Sequence, residues 1–269
     1  MKRYRWLSVF VDTSRNLVRV PPYSSDPMAT SGAVGSIALV HGLGKIQSKY
    51  CRWLDLSPPD LCVPVIYHEL LREVEAAYVH GDPFPALTGA CCLGERILNH
   101  LVLDLRDDHR TSPRYKDVYG EDSIQDWRLA ISVLNDWGVL TADLPTKFET
   151  LLGLRNPAVH FGSVDDRISM AKDAVQLVYD VTSGLFGRKA GHWFMAPGEM
   201  YVRRDKEADP LVRRFILPHC VHVGYAHRIE GAPPTLRLVD DASYEGEEID
   251  DAEFVRRRKT FRESAGSGS

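Results

Sequence analysis

The period of the apolar positions changes twice along the chain. Residues 4–11 alternate, Tyr4-Arg5-Trp6-Leu7-Ser8-Val9-Phe10-Val11, and a polar turn at 12–16 leads to Leu17-Val18-Arg19-Val20 and then Pro21-Pro22. Alternation on both sides of a polar turn predicts a β-hairpin. Residues 22–35 are rich in Ser, Pro and Gly and read as loop, and 36–61 hold one short apolar run, Ile37-Ala38-Leu39-Val40. Residues 1–62 are therefore an N-terminal region of hairpin and loops.

From Pro64 the period becomes helical. A first helix is predicted over 66–79, with Ile66, Leu70, Leu71, Val74 and Tyr78 on one face. Asp82-Pro83 restarts the chain, and 84–107 carries the longest stripe: Leu87, Ala90, Cys91, Leu93, Ile97, Leu98, Leu101, Val102 and Leu105. A stripe that wide predicts a central, largely buried helix. Residues 108–121 are polar. Asp122 or Ser123 is placed to cap a third helix that runs to Trp137 and stops at Gly138. Pro145 opens a fourth helix, and Ser163 with Asp165 and Asp166 opens a fifth, which ends near Gly184 and Gly187. The expected fold class is mainly α, with a helical domain over 63–187.

After Gly187 the texture changes again. Met200-Tyr201-Val202 and the stretch 211–225 are rich in β-branched and aromatic residues, with a polar loop at 203–210 between them. Leu236-Arg237-Leu238-Val239 adds a further strand, so 188–242 is predicted as a small β-rich appendage. Residues 243–269 form a charged tail, acidic to Asp251 and basic at Arg256-Arg257-Arg258-Lys259, ending in the linker-like Gly266-Ser267-Gly268-Ser269. The basic cluster is placed either to touch an RNA backbone or to fold against the acidic run.

Composition narrows the function classes. Hydrophobic residues make up 44% and charged residues 26%, with a formal net charge of −4. Overall charge therefore gives no general attraction to nucleic acid, and any RNA contact needs a local basic patch. Five cysteines (Cys51, Cys62, Cys91, Cys92 and Cys220) form no CxxC pair, and Cys91-Cys92 lies within an apolar helical run. That reads as reduced core packing in a cytoplasmic protein with no cofactor and no metal site. No apolar run reaches the roughly 18–20 residues of a membrane span.

Several local signals fail on inspection. Ser36-Ile37-Ala38-Leu39-Val40-His41-Gly42-Leu43-Gly44 looks like a hydrolase strand and turn, but the chain has no GxSxG elbow. Gly44-Lys45 lacks the earlier Gly and the following Ser or Thr of a phosphate-binding loop. The acidic run from Asp240 to Asp251 lacks calcium-loop spacing. In His219-Cys220-Val221-His222, strand alternation sends His219 and Cys220 to opposite faces.

The informative stretch is Leu151-Leu152-Gly153-Leu154-Arg155-Asn156-Pro157-Ala158-Val159-His160-Phe161. Arg-x4-His alone is a weak signal, and Arg214 to His219 repeats it in a strand-like setting. Arg155 to His160 differs in context: it ends an amphipathic helix, Asn156 follows the Arg, and another helix comes directly after. Positions five apart on a straight helix differ by about 140°. Pro157 cannot donate to Gly153 and its ring crowds that carbonyl, so a kink or restart there is expected to bring both side chains to one rim.

Arg155-Asn156…His160, the preceding Trp127-Arg128-Leu129…Trp137-Gly138 helix and the long helix bearing Glu95-Arg96 resemble the HEPN superfamily over about residues 65–185. That resemblance implies a helical bundle in which Arg155 and His160 are the catalytic pair of a metal-independent endoribonuclease, with Asn156 as their polar companion. It further implies an RNA substrate, a toxin or defence role, and a homodimer or related-chain pair with two motifs around one groove. Some family toxins carry a Tyr two residues past the His, and here Gly162 stands there. The other reading is a non-catalytic HEPN-like dimerisation or scaffold subunit, with the β-rich C-terminal region offering a protein-partner surface.

Overall fold

The structure, a computed structural model, describes residues 4–6, 35, 42, 45–57, 67–159, 166–232, 235–240 and 249–266, with backbone alone for 4–6 and 157–159. The chain divides into two compact units, Phe10–Lys189 and the discontinuous Met1–Val9 with Ala190–Ser269. Among the described residues no helix is long and apolar enough to cross a membrane.

The first unit is built on α1 (Ile46–Asp55), α2 (His68–His80), α3 (Pro83–Leu105), α4 (Trp127–Asp136), α5 (Leu144–Val159) and α6 (Arg167–Phe186). Helix α3 is central and packs against α2, α4, α5 and α6. Every apolar member of its predicted stripe, from Leu87 to Leu105, is buried. Residue 66, placed at the head of the first predicted helix, lies outside the described residues, while Leu71, Val74 and Tyr78 of that stripe are buried. Helix α1, where 36–61 predicted no element, joins α2 through Trp53 and Val79.

Three boundaries differ from the sequence reading, each for a local reason. Helix α4 begins at Trp127, because Asp126 caps it by accepting from the N–H groups of Arg128 and Leu129, at 2.9 and 3.3 Å. Residues 122–124 are unavailable to that helix. The Asn99 side chain accepts from Ile124 N at 2.6 Å and donates to Ile124 O at 2.9 Å, satisfying the backbone there. Gly138 does end α4's turn, with a φ of 73°. Gly184 ends nothing: it lies inside α6, where an added Cβ would come within 2.5 Å of Leu144 Cδ2. Its role is close packing. Helix α5 is continuous from Leu144 to Val159, so Pro157 sits in its last turn and the expected restart there is not found.

In the second unit, β2 (Trp193–Ala196), β3 (Glu199–Val202), β1 (Tyr4–Trp6) and β4 (Cys220–His222) form one sheet in the order β2-β3-β1-β4. Strand β1 pairs antiparallel with both neighbours, Arg5 opposite Tyr201 and Trp6 opposite Cys220. The residues expected as its hairpin partner, 17–20, lie outside the described residues; the partners observed come from the other end of the sequence. Strands β5 (Arg228–Glu230) and β6 (Arg237–Val239) form a separate antiparallel pair.

The stretch 211–225 is mostly not strand. Residues Val212–Ile216 form a π-helical turn and Leu217–His219 a 3₁₀ turn before β4 begins. Leu211, Val212, Phe215 and Ile216 are buried while Arg213 and Arg214 are exposed. That spacing is helical, and it outweighs the β-branched composition that suggested strands. Residues Asp251–Gly266 of the charged tail form a helix, α7, whose Phe254 joins Ala196, Tyr201, Val223 and Ile249 in the core of this unit.

Candidate functional site

Leu144, Phe148 and Leu151 face the core from α5, and Arg155 takes the next position of the same helical stripe. Its stem therefore points along the face that meets α3, while its head emerges where that face reaches the surface. There Arg155 Nη2 lies 3.4 Å from Glu95 Oε2 of α3, the two side chains 34% and 28% exposed.

The approach that creates this pair depends on a glycine. A Cβ on Gly94, the residue before Glu95, would lie 2.4 Å from Leu151 Cδ2 and 3.1 Å from Trp127, so the Leu151 side chain fills the space a larger residue would need. Cys91, one turn before Glu95 on α3, has its Sγ 3.9 Å from Leu151 O. Burial pushes the Cys91 thiol up to about 12; neighbouring Cys92 adds to this and Arg155 opposes it. Cys91 is thus a protonated core group, whereas Cys92 is exposed rather than packed inside.

Asn156 is exposed beside Arg155. His160 lies outside the described residues, so the structure brings Arg155 together with Glu95 and gives no Arg155–His160 geometry. The competing motif lies in helical turns rather than in the strand-like setting expected for it: Arg214 is on the π-helical turn and His219 ends the 3₁₀ turn.

A second polar group lines the α2–α3 contact. Tyr67 Oη is 3.2 Å from His100 Nδ1, and the Tyr67 ring also meets Phe186 at 6.1 Å between centroids. Burial raises the Tyr67 hydroxyl well above its ordinary range, with Asp104 adding to it. Burial, then the nearby Arg96 charge, lowers His100, and burial lowers His68 to about 4. Both histidines are held neutral at pH 7.

The second unit contains a buried charge cluster that sequence reading missed. Arg258 of α7, 3% exposed, grips Glu199 of β3 with two hydrogen bonds, Nε to Oε2 at 2.9 Å and Nη2 to Oε1 at 2.8 Å. Its Nη1 donates to the carbonyls of Tyr225, at 2.9 Å, and His227. Tyr201 Oη also donates to Glu199. His227 Nε2 sits 2.9 Å from that carboxylate, and its Nδ1 lies 2.6 Å from Gly224 O. Burial alone would raise the Glu199 carboxyl, but hydrogen bonds from His227, Arg258 and Tyr201 overcome it and draw it down to about 2. Satisfied on so many sides, the cluster fastens α7 to the sheet. The available signal was Phe254, Arg258 and Phe261 at one helical spacing, which places Arg258 on α7's inward face. The Arg256–Lys259 stretch therefore divides: Arg258 is internal, and Arg256 pairs on its own helix with Glu253 at 2.6 Å.

Comparison of the chain with protein-family models, curated proteins and solved structures gave no match.

Proposed function

We propose that residues 63–187 are a HEPN-like endoribonuclease domain that cleaves RNA without a metal ion, with Arg155 as phosphate clamp, His160 as proton carrier and Asn156 as polar companion. The observation that carries this reading is the placement of Arg155. The guanidinium stands at the half-open rim of the α3–α5 contact, beside the exposed Asn156, and His160 follows five positions later in the sequence.

The chemistry balances within the RNA. A 2′-OH attacks the adjacent phosphorus as His160 takes its proton. The P–O5′ bond breaks and the leaving 5′ oxygen gains a proton, giving a 2′,3′-cyclic phosphate and a 5′-OH. Histidine suits both transfers because its ordinary pKa lies near neutrality. The planar Arg fork suits the charge that builds on the phosphoryl oxygens. In this reading the active form is a homodimer or related-chain pair with two motifs around one groove, and the setting is a cytoplasmic toxin or defence system.

The non-catalytic scaffold reading has one specific observation in its favour. Glu95 already occupies the Arg155 guanidinium, as it would in a pair whose task is to tie α3 to α5. Incubating the full chain with 5′-labelled RNA in EDTA and mapping the product ends separates the two. Cyclic phosphate and 5′-OH termini support the ribonuclease; intact RNA supports the scaffold.

A further inference from the structure

We infer that Glu95 is an internal stand-in for the substrate phosphate: it holds Arg155 ready at the rim, and RNA binds by exchanging a phosphodiester for the Glu95 carboxylate. This deepens the ribonuclease reading, on which it rests for the identity of the ligand, and it makes Glu95 a positioning residue.

Three features support the exchange. Contact is made by one guanidinium nitrogen to one carboxylate oxygen at 3.4 Å, longer than the 2.7–2.9 Å usual for a strong charge-assisted bond. A bidentate grip of the kind Arg258 makes on Glu199, at 2.8 and 2.9 Å, is absent here. The same protein thus shows what a locked Arg–Glu pair looks like, and Arg155–Glu95 is not one.

Exposure is the second feature. Arg258 and Glu199 are 3% and 9% exposed, whereas Arg155 and Glu95 are 34% and 28% exposed, open to an incoming anion. Third, both partners sit on long helices that pack on each other, the Leu151 side chain lying directly against Gly94, the neighbour of Glu95. A phosphodiester offers the same pair of acceptor oxygens on a single negative charge. The carboxylate thus stands on the guanidinium where the phosphate would stand.

The test is a double-mutant cycle on the full chain: wild type, Glu95→Gln, Arg155→Gln and the double variant. The probe is a short fluorescein-labelled single-stranded RNA with 2′-O-methyl riboses, which carries every phosphate but cannot be cleaved. Glu95→Gln frees Arg155 and is expected to tighten binding roughly two- to fivefold, the equivalent of losing a half-exposed ion pair. Its log–log salt slope should stay that of the wild type, since Arg155 meets the same phosphate in both complexes. In the Arg155→Gln background the same change should do nothing.

Equal tightening in both backgrounds would overturn the inference, because Glu95 would then act only as a negative charge. Unchanged or weaker binding in Glu95→Gln, or no binding by any variant, would overturn it too. Cleavage of unmodified RNA is read separately. Cleavage with a flat cycle sinks the inference alone, and a positive cycle without cleavage sinks the ribonuclease reading alone.

Discussion

Arg155 on α5 and Glu95 on α3 meet at 3.4 Å with about a third of each side chain exposed, and this half-open setting separates function from stability. Ion pairs so exposed contribute roughly 0–1 kcal/mol. Arg155→Gln should therefore lower the melting temperature by no more than about 4 °C in thermal unfolding followed by circular dichroism. RNA cleavage by the same variant should fall by roughly 10²–10³-fold, the usual loss on removing a donor that stabilises developing charge. Arg155→Lys should also fail substantially, since Lys keeps the charge but not the fork. A large drop in melting temperature with unchanged cleavage would make the pair a structural tie.

Gly94→Ala tests the support beneath the pair. Alanine favours helix by roughly 0.5–1 kcal/mol over glycine, yet its Cβ would stand 2.4 Å from Leu151 Cδ2 in a packed core. Overpacking typically costs about 1–3 kcal/mol, so a net loss of stability is expected in urea unfolding. Adding Leu151→Ala should cost less in this background than in wild type, because the clash is removed with the side chain. Strict additivity would mean the two residues do not press on each other.

The buried cluster of the second unit should respond to acid. The Glu199 carboxyl is drawn from its ordinary 4.5 to about 2 in the folded chain. The unfolded chain therefore binds the proton first: the stabilisation is full above about pH 4.5 and drains away as pH falls towards 2. Glu199→Gln should flatten that part of the stability–pH curve. Arg258→Leu strands a buried carboxylate and should cost about 3–5 kcal/mol at pH 7. Denaturant unfolding across pH 2–7 reads both effects.

His68 gives the first unit a different pH window. Burial lowers it from 6.5 to about 4. The folded chain then resists a proton that the unfolded chain accepts. Its contribution is complete above about pH 6.5 and is lost as pH falls through that value towards 4. His68→Phe should remove this dependence, because the variant has no group to titrate in that window. Persistence of the full slope in the variant would assign it elsewhere.

The sequence reading succeeded where burial surrounds an element and faltered where a distant partner decides. The α3 stripe from Leu87 to Leu105 was legible because a central helix shows its burial on nearly every turn. The start of α4 was not, because Asn99, on another helix, satisfies the backbone at Ile124. Tyr4–Trp6 was recognisable as strand, but nothing local could reveal that its partners are Glu199–Val202 and Cys220–His222. At 211–216 the helical spacing of Leu211, Val212, Phe215 and Ile216 competes with a β-branched composition that points to strand. Within the candidate site, the motif singles out Arg155, whereas its pairing with Glu95 joins two helices far apart in sequence, which only their packing discloses.

The most direct test of the central claim is the single-turnover rate of RNA cleavage in EDTA, compared between the full chain and its His160→Ala variant at pH 7. The ribonuclease account predicts metal-independent cleavage by the wild type and a rate lower by about 10²–10⁴-fold in the variant, the usual contribution of general acid–base catalysis. Equal rates in the two proteins, or a wild-type rate abolished by EDTA and restored by a divalent ion, would contradict it.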